Sequence, residues 1–505
     1  MKRTLPLMAI GLILTALLAM PLKGDKLPDG SLAYQQTEDT RVPGPFESSG
    51  SSSRYALVEA IVKSGTFFFN DVQAGLAAPD LVQYNGKYFS IFTPGVSFAV
   101  LPFYLLGNLF GIPQLAAYGA TTLVALVNLL LVVLIARRLG AGIIPSFISG
   151  FIFLFGTNAL TYALTLTQHH WSMLVILLAI LTLFKQPGLL RNLFLGLLYG
   201  AGLLIDIPNA FILLPLMVYA AGQHLAGIDE GRTVKIKLKL VLIFLLLGFI
   251  PLLGAFGWYN KQVTGSATRL AQFIGRSDYP PKPKTTTEKK PPDPYAPTLP
   301  FYSRNQLNGL YILLISNERG WLYYSPIVFI GMAGLFLAVK RKETEKIAVV
   351  ILTMAGLTIT MYSSFGDPWG GWSFGPRYLL PATALLSTGI GLAIERWKRS
   401  ILFGLAFLTI AGYSIYVAAF GAFTTTQVPP KQEAEHLVTF IPYTYAYNQQ
   451  LIDQNKTGSL VYNLWLNGRV PLTTVVMMYQ GIGIVLVSIA YTLACRKRIF
   501  KKNDI

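Results

Sequence analysis

Charge is costly beside hydrocarbon, so the carboxylates and guanidinium groups that flank apolar runs are the residues best placed to do chemistry. Between Ser53 and Pro102 the chain carries Arg54, Glu59, Asp71 and Asp80, then enters an apolar run at Pro94-Gly95. Asp80 precedes Gly86-Lys87-Tyr88, and Asp71 follows Phe67-Phe68-Phe69, rings suited to a membrane surface. A carboxylate held there can take the proton of an attacking hydroxyl, while a phosphate on the other reactant leaves without a strong acid because it is already a stable anion. Asp80, with Asp71 second, is the expected base; a solvated surface acid is the alternative reading of each.

A second constellation is Trp369-Gly370-Gly371-Trp372-Ser373-Phe374-Gly375-Pro376-Arg377-Tyr378. Its glycines allow close backbone approach, its indoles offer flat faces and N–H donors, and Arg377 presents a fork suited to phosphate. An interfacial aromatic belt with a snorkelling arginine accounts for the rings but not for Gly-Gly or Gly-Pro. We expect Arg377 on a lipid phosphate, with Trp369, Trp372 and Tyr378 joining Arg54 and Tyr88 around a sugar or acceptor pocket. Ser316-Asn317-Glu318-Arg319-Gly320 offers Arg319 as a second phosphate contact or, equally, as a partner of Glu318. In His169-His170-Trp171 the adjacent histidines point in different directions on a helix and make a poor metal pair. His170 is expected to hydrogen-bond or meet a lipid phosphate, with a structural histidine as the alternative. Asp206, in Leu204-Ile205-Asp206-Ile207-Pro208, is either a buried charge or the residue of an external helix turn. No metal site is assigned and no soluble cofactor is implied, although the first-loop acids have the chemistry to hold a divalent cation.

These groups need a scaffold in lipid. The 505 residues are 53% hydrophobic and 13% charged, with a mean hydropathy of +0.51, a composition of polytopic membrane proteins. The net charge of +18 falls in short clusters between apolar runs, so topology explains it better than a nucleic-acid partner. Lys2 and Arg3 precede an apolar run from about 5 to 22, read as an uncleaved first helix entering from the cytoplasm. Further runs follow at about 91 to 110, 114 to 136, 143 to 163, 170 to 184, 192 to 206, 208 to 223, 239 to 258, 320 to 339, 347 to 363, 378 to 394, 400 to 422 and 472 to 494. Basic clusters such as Arg137-Arg138, Lys185 with Arg191 and the tail from Arg496 to Lys502 mark cytoplasmic turns and place both termini inside. An even number of crossings is then required. The run at 91 to 110, interrupted by Pro94, Gly95 and Pro102, is the one expected not to cross, which leaves about twelve transmembrane helices.

The divisions are 1–258, a transmembrane module with a large external loop at 23–90; 259–319, an external loop with a Pro/Lys-rich linker; 320–423, transmembrane helices; 424–471, an external loop; and 472–505, a last helix and basic tail. The first loop holds eight acidic residues against six basic ones, in keeping with an external face, and Arg54 to Lys63 has the spacing of a short helix on the membrane surface. The only adjacent acidic pair, Glu38-Asp39, lies upstream of it.

Taken together, the acidic first loop, Gly86-Lys87-Tyr88-Phe89-Ser90 leading to Pro94-Gly95, Phe155-Gly156-Thr157 with Tyr162 and His170, Tyr259-Asn260, Glu318-Arg319-Gly320 with Tyr324-Ser325-Pro326, and Pro376-Arg377-Tyr378 resemble the GT-C fold glycosyltransferases, in particular the bacterial and archaeal relatives of the protein O-mannosyltransferases. The resemblance spreads over roughly residues 1 to 400. It implies an all-α, multi-pass protein of the cell membrane with an extracytoplasmic active site. It also implies a donor sugar on polyprenyl or dolichyl phosphate, inversion at the anomeric carbon, a hydroxyl acceptor on a glycan, lipid or protein, and a first-loop acid as base. Many members carry an acidic pair near the start of the surface helix, where this chain reads Ser51-Ser52-Ser53-Arg54. The alternative from another class is a transporter or flippase of a lipid-linked sugar, which calls for charge deep in the helices and an internal repeat; no repeat is visible. A non-catalytic scaffold leaves the glycine-tryptophan turn without a reason.

Overall fold

The computed structural model describes residues 4–26, 32–33, 44–223, 232–281 and 306–496. Lys2, Arg3, the pair Glu38-Asp39, most of the Pro/Lys-rich linker and the tail beyond Arg496 lie outside the described residues. The protein is almost wholly helical. Among the described residues five helices are long and apolar enough to cross a membrane, Pro113–Arg138, Ile243–Thr264, Glu345–Ser363, Ile401–Phe423 and Leu472–Arg496, and a pair bent by 41°, Arg377–Ser387 with Ile390–Trp397, meets the same standard if taken as one broken span. Shorter apolar helices fill the bundle: Gly95–Leu109, Ile143–Phe155, His169–Leu183, Leu189–Ile205, Pro208–Gly222 and Ile327–Val339, with Thr4–Ala19 before them. Their outer faces stay apolar, as at Leu130, Leu246, Leu402 and Ile489, because lipid and not water covers them.

Glycines set how closely the helices cross. A Cβ on Gly248 would meet the Leu193 carbonyl oxygen at 2.0 Å, and one on Gly196 the Leu245 carbonyl oxygen at 2.1 Å. In lipid, where side chains gain little by leaving hydrocarbon for protein, such backbone contact is a main source of helix association.

The helix Gly95–Leu109 joins the first loop to the bundle. Its first residue packs on Leu204 and Ile205 at the end of Leu189–Ile205, and Gly107 packs on Ile112 and Ala116 at the start of the next helix. Between them Ser97 donates to the Arg54 carbonyl at 2.9 Å, and the Tyr104 ring lies tilted 6.0 Å from that of Tyr55.

The first loop is built rather than irregular. The expected surface helix begins earlier, at Ser49, and runs to Ser64, with Gly65 closing it in the left-handed region at φ 61°. It is buried on most of its circumference instead of lying on a membrane surface. Gly50 and three serines let other segments come close: Ser52 donates to the Phe46 carbonyl at 2.8 Å and Ser53 bonds Ser90 Oγ at 2.8 Å. The helix Asp71–Ala77 follows, started by a capping box between Asn70 and Gln73. Next comes a hairpin, Leu81–Tyr84 paired with Lys87–Ser90, turned through Asn85-Gly86, both at positive φ.

The loop is tied to the far end of the sequence. Lys23, fully buried, donates to the Thr424 carbonyl. Glu47 accepts from Thr425 Oγ1, Thr426 N and Thr426 Oγ1, each at 2.6 Å. Burial lowers the Lys23 ammonium to about 8, an effect that Glu47 opposes, and raises the Glu47 carboxyl, which Lys23 and the threonine bonds oppose.

Candidate active site

Four segments distant in sequence meet at this end of the bundle. The turn 365–377 is drawn up by Asp367, whose two oxygens accept from Gly370 N at 3.1 Å and Gly371 N at 2.8 Å. Gly370 stands at φ 72°, and a Cβ there would lie 2.9 Å from Arg377 Nε, so a side chain would displace the guanidinium. Tyr162 fixes the turn from the other side: its hydroxyl accepts from Phe374 N at 3.1 Å and donates to Phe374 O at 3.2 Å. Its ring packs edge-on to His169 at 5.2 Å.

Arg377 emerges from this frame half-buried, 5.6 Å from the centre of the Tyr378 ring. Tyr378 is stacked in turn on Tyr362 at 4.5 Å with planes 7° apart. Arg377 Nε has no hydrogen-bond acceptor. Around it lie charges from three other segments. Arg54, 2% exposed, donates to the Gly50 carbonyl at 2.7 Å and leaves Nε without an acceptor. It lies in the field of Asp206, Asp80 and Arg377, and Arg377 in that of Asp80. His169 lies in the field of Arg377 and Arg54.

The two carboxylates differ. Asp80 is 5% exposed; Oδ2 accepts from Ser49 Oγ at 2.7 Å and Oδ1 pairs with Arg276 at 2.7 Å, so both oxygens face a partner. Asp206, at the end of Leu189–Ile205, is only half-buried. Burial nevertheless raises its carboxyl to about 6, against the opposing pull of Arg54 and of hydrogen bonds from Gln168 and the Ile207 backbone. A carboxylate that is enclosed enough to be raised yet still open is suited to take a proton near neutral pH.

Other expected residues have other surroundings. Arg319 is 0% exposed and spends its guanidinium on carbonyls: Nε on Trp369 at 3.1 Å, Nη1 on Glu318 at 2.7 Å, and Nη2 on Gly371 at 3.2 Å and Val428 at 2.8 Å. It braces the glycine-tryptophan turn. Trp369 donates to Glu318 Oε2 at 2.9 Å and Trp372 to Glu433 Oε2 at 2.5 Å, so both indole N–H groups tie the turn to neighbouring segments. His170 is buried, with Nε2 on the Ala159 carbonyl at 2.8 Å and Nδ1 beside Asn128 at 3.3 Å. Asp71 is exposed in the first turn of its helix, where a negative charge suits the helix dipole, and it bonds Tyr279. Tyr88 belongs to the hairpin's aromatic cluster, 5.3 Å from Tyr279.

Arg377, Arg54 and Asp80 are thus brought together, while Arg319, His170, Trp369, Trp372, Asp71 and Tyr88 support or flank them. The sequence reading passed over Gln168 and Arg276, and of the two adjacent histidines it assigned a site role only to His170. Among the described residues, no three His, Cys, Asp or Glu side chains gather as a metal site. The first-loop acids are dispersed: Glu59 pairs with Lys63 at 2.6 Å, Glu47 with the threonines, Asp80 with Arg276.

The sequence matches no protein-family model and no curated protein. Among solved structures, the chain is similar to ArnT from Cupriavidus metallidurans in the apo state, with a TM-score of 0.52 over 98% of this chain and 78% of that one at 15% identity. It is also similar to ArnT from the same organism bound to undecaprenyl phosphate, with a TM-score of 0.51 over 98% and 76% at 16% identity. ArnT is a GT-C glycosyltransferase, and this chain has the GT-C fold, all-helical and polytopic.

Proposed function

We propose that the chain is a glycosyltransferase that moves a sugar from a polyprenyl phosphate to a hydroxyl of a glycan, lipid or protein at the external membrane face. The observation that carries this is the gathering of charge around Arg54, which lies in the field of Arg377, Asp80 and Asp206, with Arg377 in turn in the field of Asp80 and its Nε without an acceptor among the described residues. Two guanidinium groups suit a phosphate, and an open carboxylate beside them suits a base. The undecaprenyl phosphate bound in a neighbour of the same fold supports a lipid-phosphate donor.

In the proposed reaction Arg377 holds the donor phosphate and Asp206 accepts the acceptor hydroxyl's proton. The acceptor oxygen bonds to the anomeric carbon as the bond from that carbon to phosphate oxygen breaks, the configuration inverts, and the lipid phosphate leaves with its added charge against Arg377 and Arg54. Asp80 keeps Arg276 and Ser49 in place and is second choice as base. No step is routed through a metal or cofactor.

The test is sugar release or transfer from a panel of radiolabelled polyprenyl-phosphate sugars by the full chain in nanodiscs. Asp206→Asn should lower kcat by about 10²–10⁴ with donor binding retained, and Arg377→Ala should weaken donor binding. Asp80→Asn should cost less than Asp206→Asn. A wild type that binds such lipids but never cleaves them, with carboxamide variants that bind equally, would replace this reading with a flippase.

A further inference from the structure

At the end of the bundle opposite Arg377, His169–Leu183 ends and Leu189–Ile205 begins. At 1.5 Å per residue the first of these helices sets this turn about 22 Å from His169, which lies in the field of Arg377. The turn lines an open cavity of about 540 Å³ whose walls include Thr182, Lys185, Gln186, Leu189, Arg191 and Phe194.

Arg191 is 6% exposed. Its Nη1 donates to the Lys185 carbonyl at 3.2 Å and to Gln223 Oε1 at 2.8 Å, but Nε and Nη2 have no acceptor. A covered guanidinium with open donors is costly, so a missing acceptor is the economical explanation. Three further features have the same sign. Arg191 lies in the first turn of a 17-residue helix, where unpaired backbone N–H groups and the helix dipole favour an anion. Lys185 adds an exposed cation at the rim. Among the described residues no carboxylate pairs with either. Leu189, Leu190 and Phe194 flank these polar groups with exposed apolar surface, as a head group with acyl chains would require.

We infer that this cavity is a second anion site, distinct from the active-site recess and independent of the proposed reaction, that takes a phosphate group through Arg191, Lys185 and the start of Leu189–Ile205. The phosphate is either that of an anionic phospholipid or free phosphate, and the two are separable. Native mass spectrometry of the detergent-solubilised full chain, titrated with phosphatidylglycerol or phosphatidylcholine, reads the lipid; thermal unfolding in inorganic phosphate against chloride at equal ionic strength reads the free ion. Binding in either arm should weaken about tenfold or more in Arg191→Gln and by a smaller factor in Lys185→Gln, and the arm that responds names the source. Lys185 is exposed, so its variant leaves the fold intact and decides the matter if Arg191→Gln does not fold. Wild-type binding of phosphatidylglycerol and phosphate no stronger than that of Lys185→Gln overturns the inference.

Discussion

Asp206 sits between Arg54 and Gln168 with its carboxyl raised to about 6 by burial. Burial disfavours the charged form, so the group is protonated below that value and ionised above it. A base must be ionised, so kcat/KM should rise about tenfold per unit up to pH about 6 and then level; a profile already flat from pH 4.5 would remove Asp206 from that role. Its part was only half legible in the sequence, where Pro208 marks a helix turn but nothing brings Arg54, some 150 residues earlier, beside it. The glycine-rich turn around Arg377 was legible because a simple aromatic belt has no use for its glycines, and the structure does fold it as a turn, drawn up by Asp367. Arg319 was not, since a phosphate-binding arginine and one that satisfies backbone carbonyls look alike until its partners are known: here they are Trp369, Glu318, Gly371 and Val428.

At the scale of elements, apolar runs located the helices well because lipid admits few alternatives. The first loop was legible only in part. Hydrophobic spacing marks its helix from Arg54 to Lys63, but the helix starts at Ser49, and its first turn is held by serines and a glycine whose value lies in close approach and which leave no periodicity to detect. The loop's hold on the rest of the site rests on Glu47 and its three 2.6 Å bonds. Glu47→Ala leaves those donors without their acceptor and the buried Lys23 without its opposing charge, and should cost about 2–4 kcal/mol. Hydrogen exchange should then quicken across 44–64 and 424–430 together; quickening in the first segment alone would show that the two are not joined through Glu47.

Across the whole molecule, the basic clusters lead us to expect the end with Arg377 outside and the end with Arg191 inside. The chain has a single cysteine, Cys495, so a Cys495→Ser background admits single labels. Gln427→Cys should react with an impermeant maleimide added outside intact cells, and Gln186→Cys only after the membrane is opened; the reverse pattern would invert the topology and place the recess inside. The bond from Lys23 to Thr424 spans 401 positions, and that separation has a consequence for biosynthesis. The lysine enters the membrane with the first helix, whereas the carbonyl that receives it is inserted only after nearly the whole bundle. Until then the ammonium must stay with water or lipid head groups, so the end of the bundle that holds Arg377 closes last, and a ribosome stalled anywhere before residue 424 leaves a bundle whose first loop is not yet anchored.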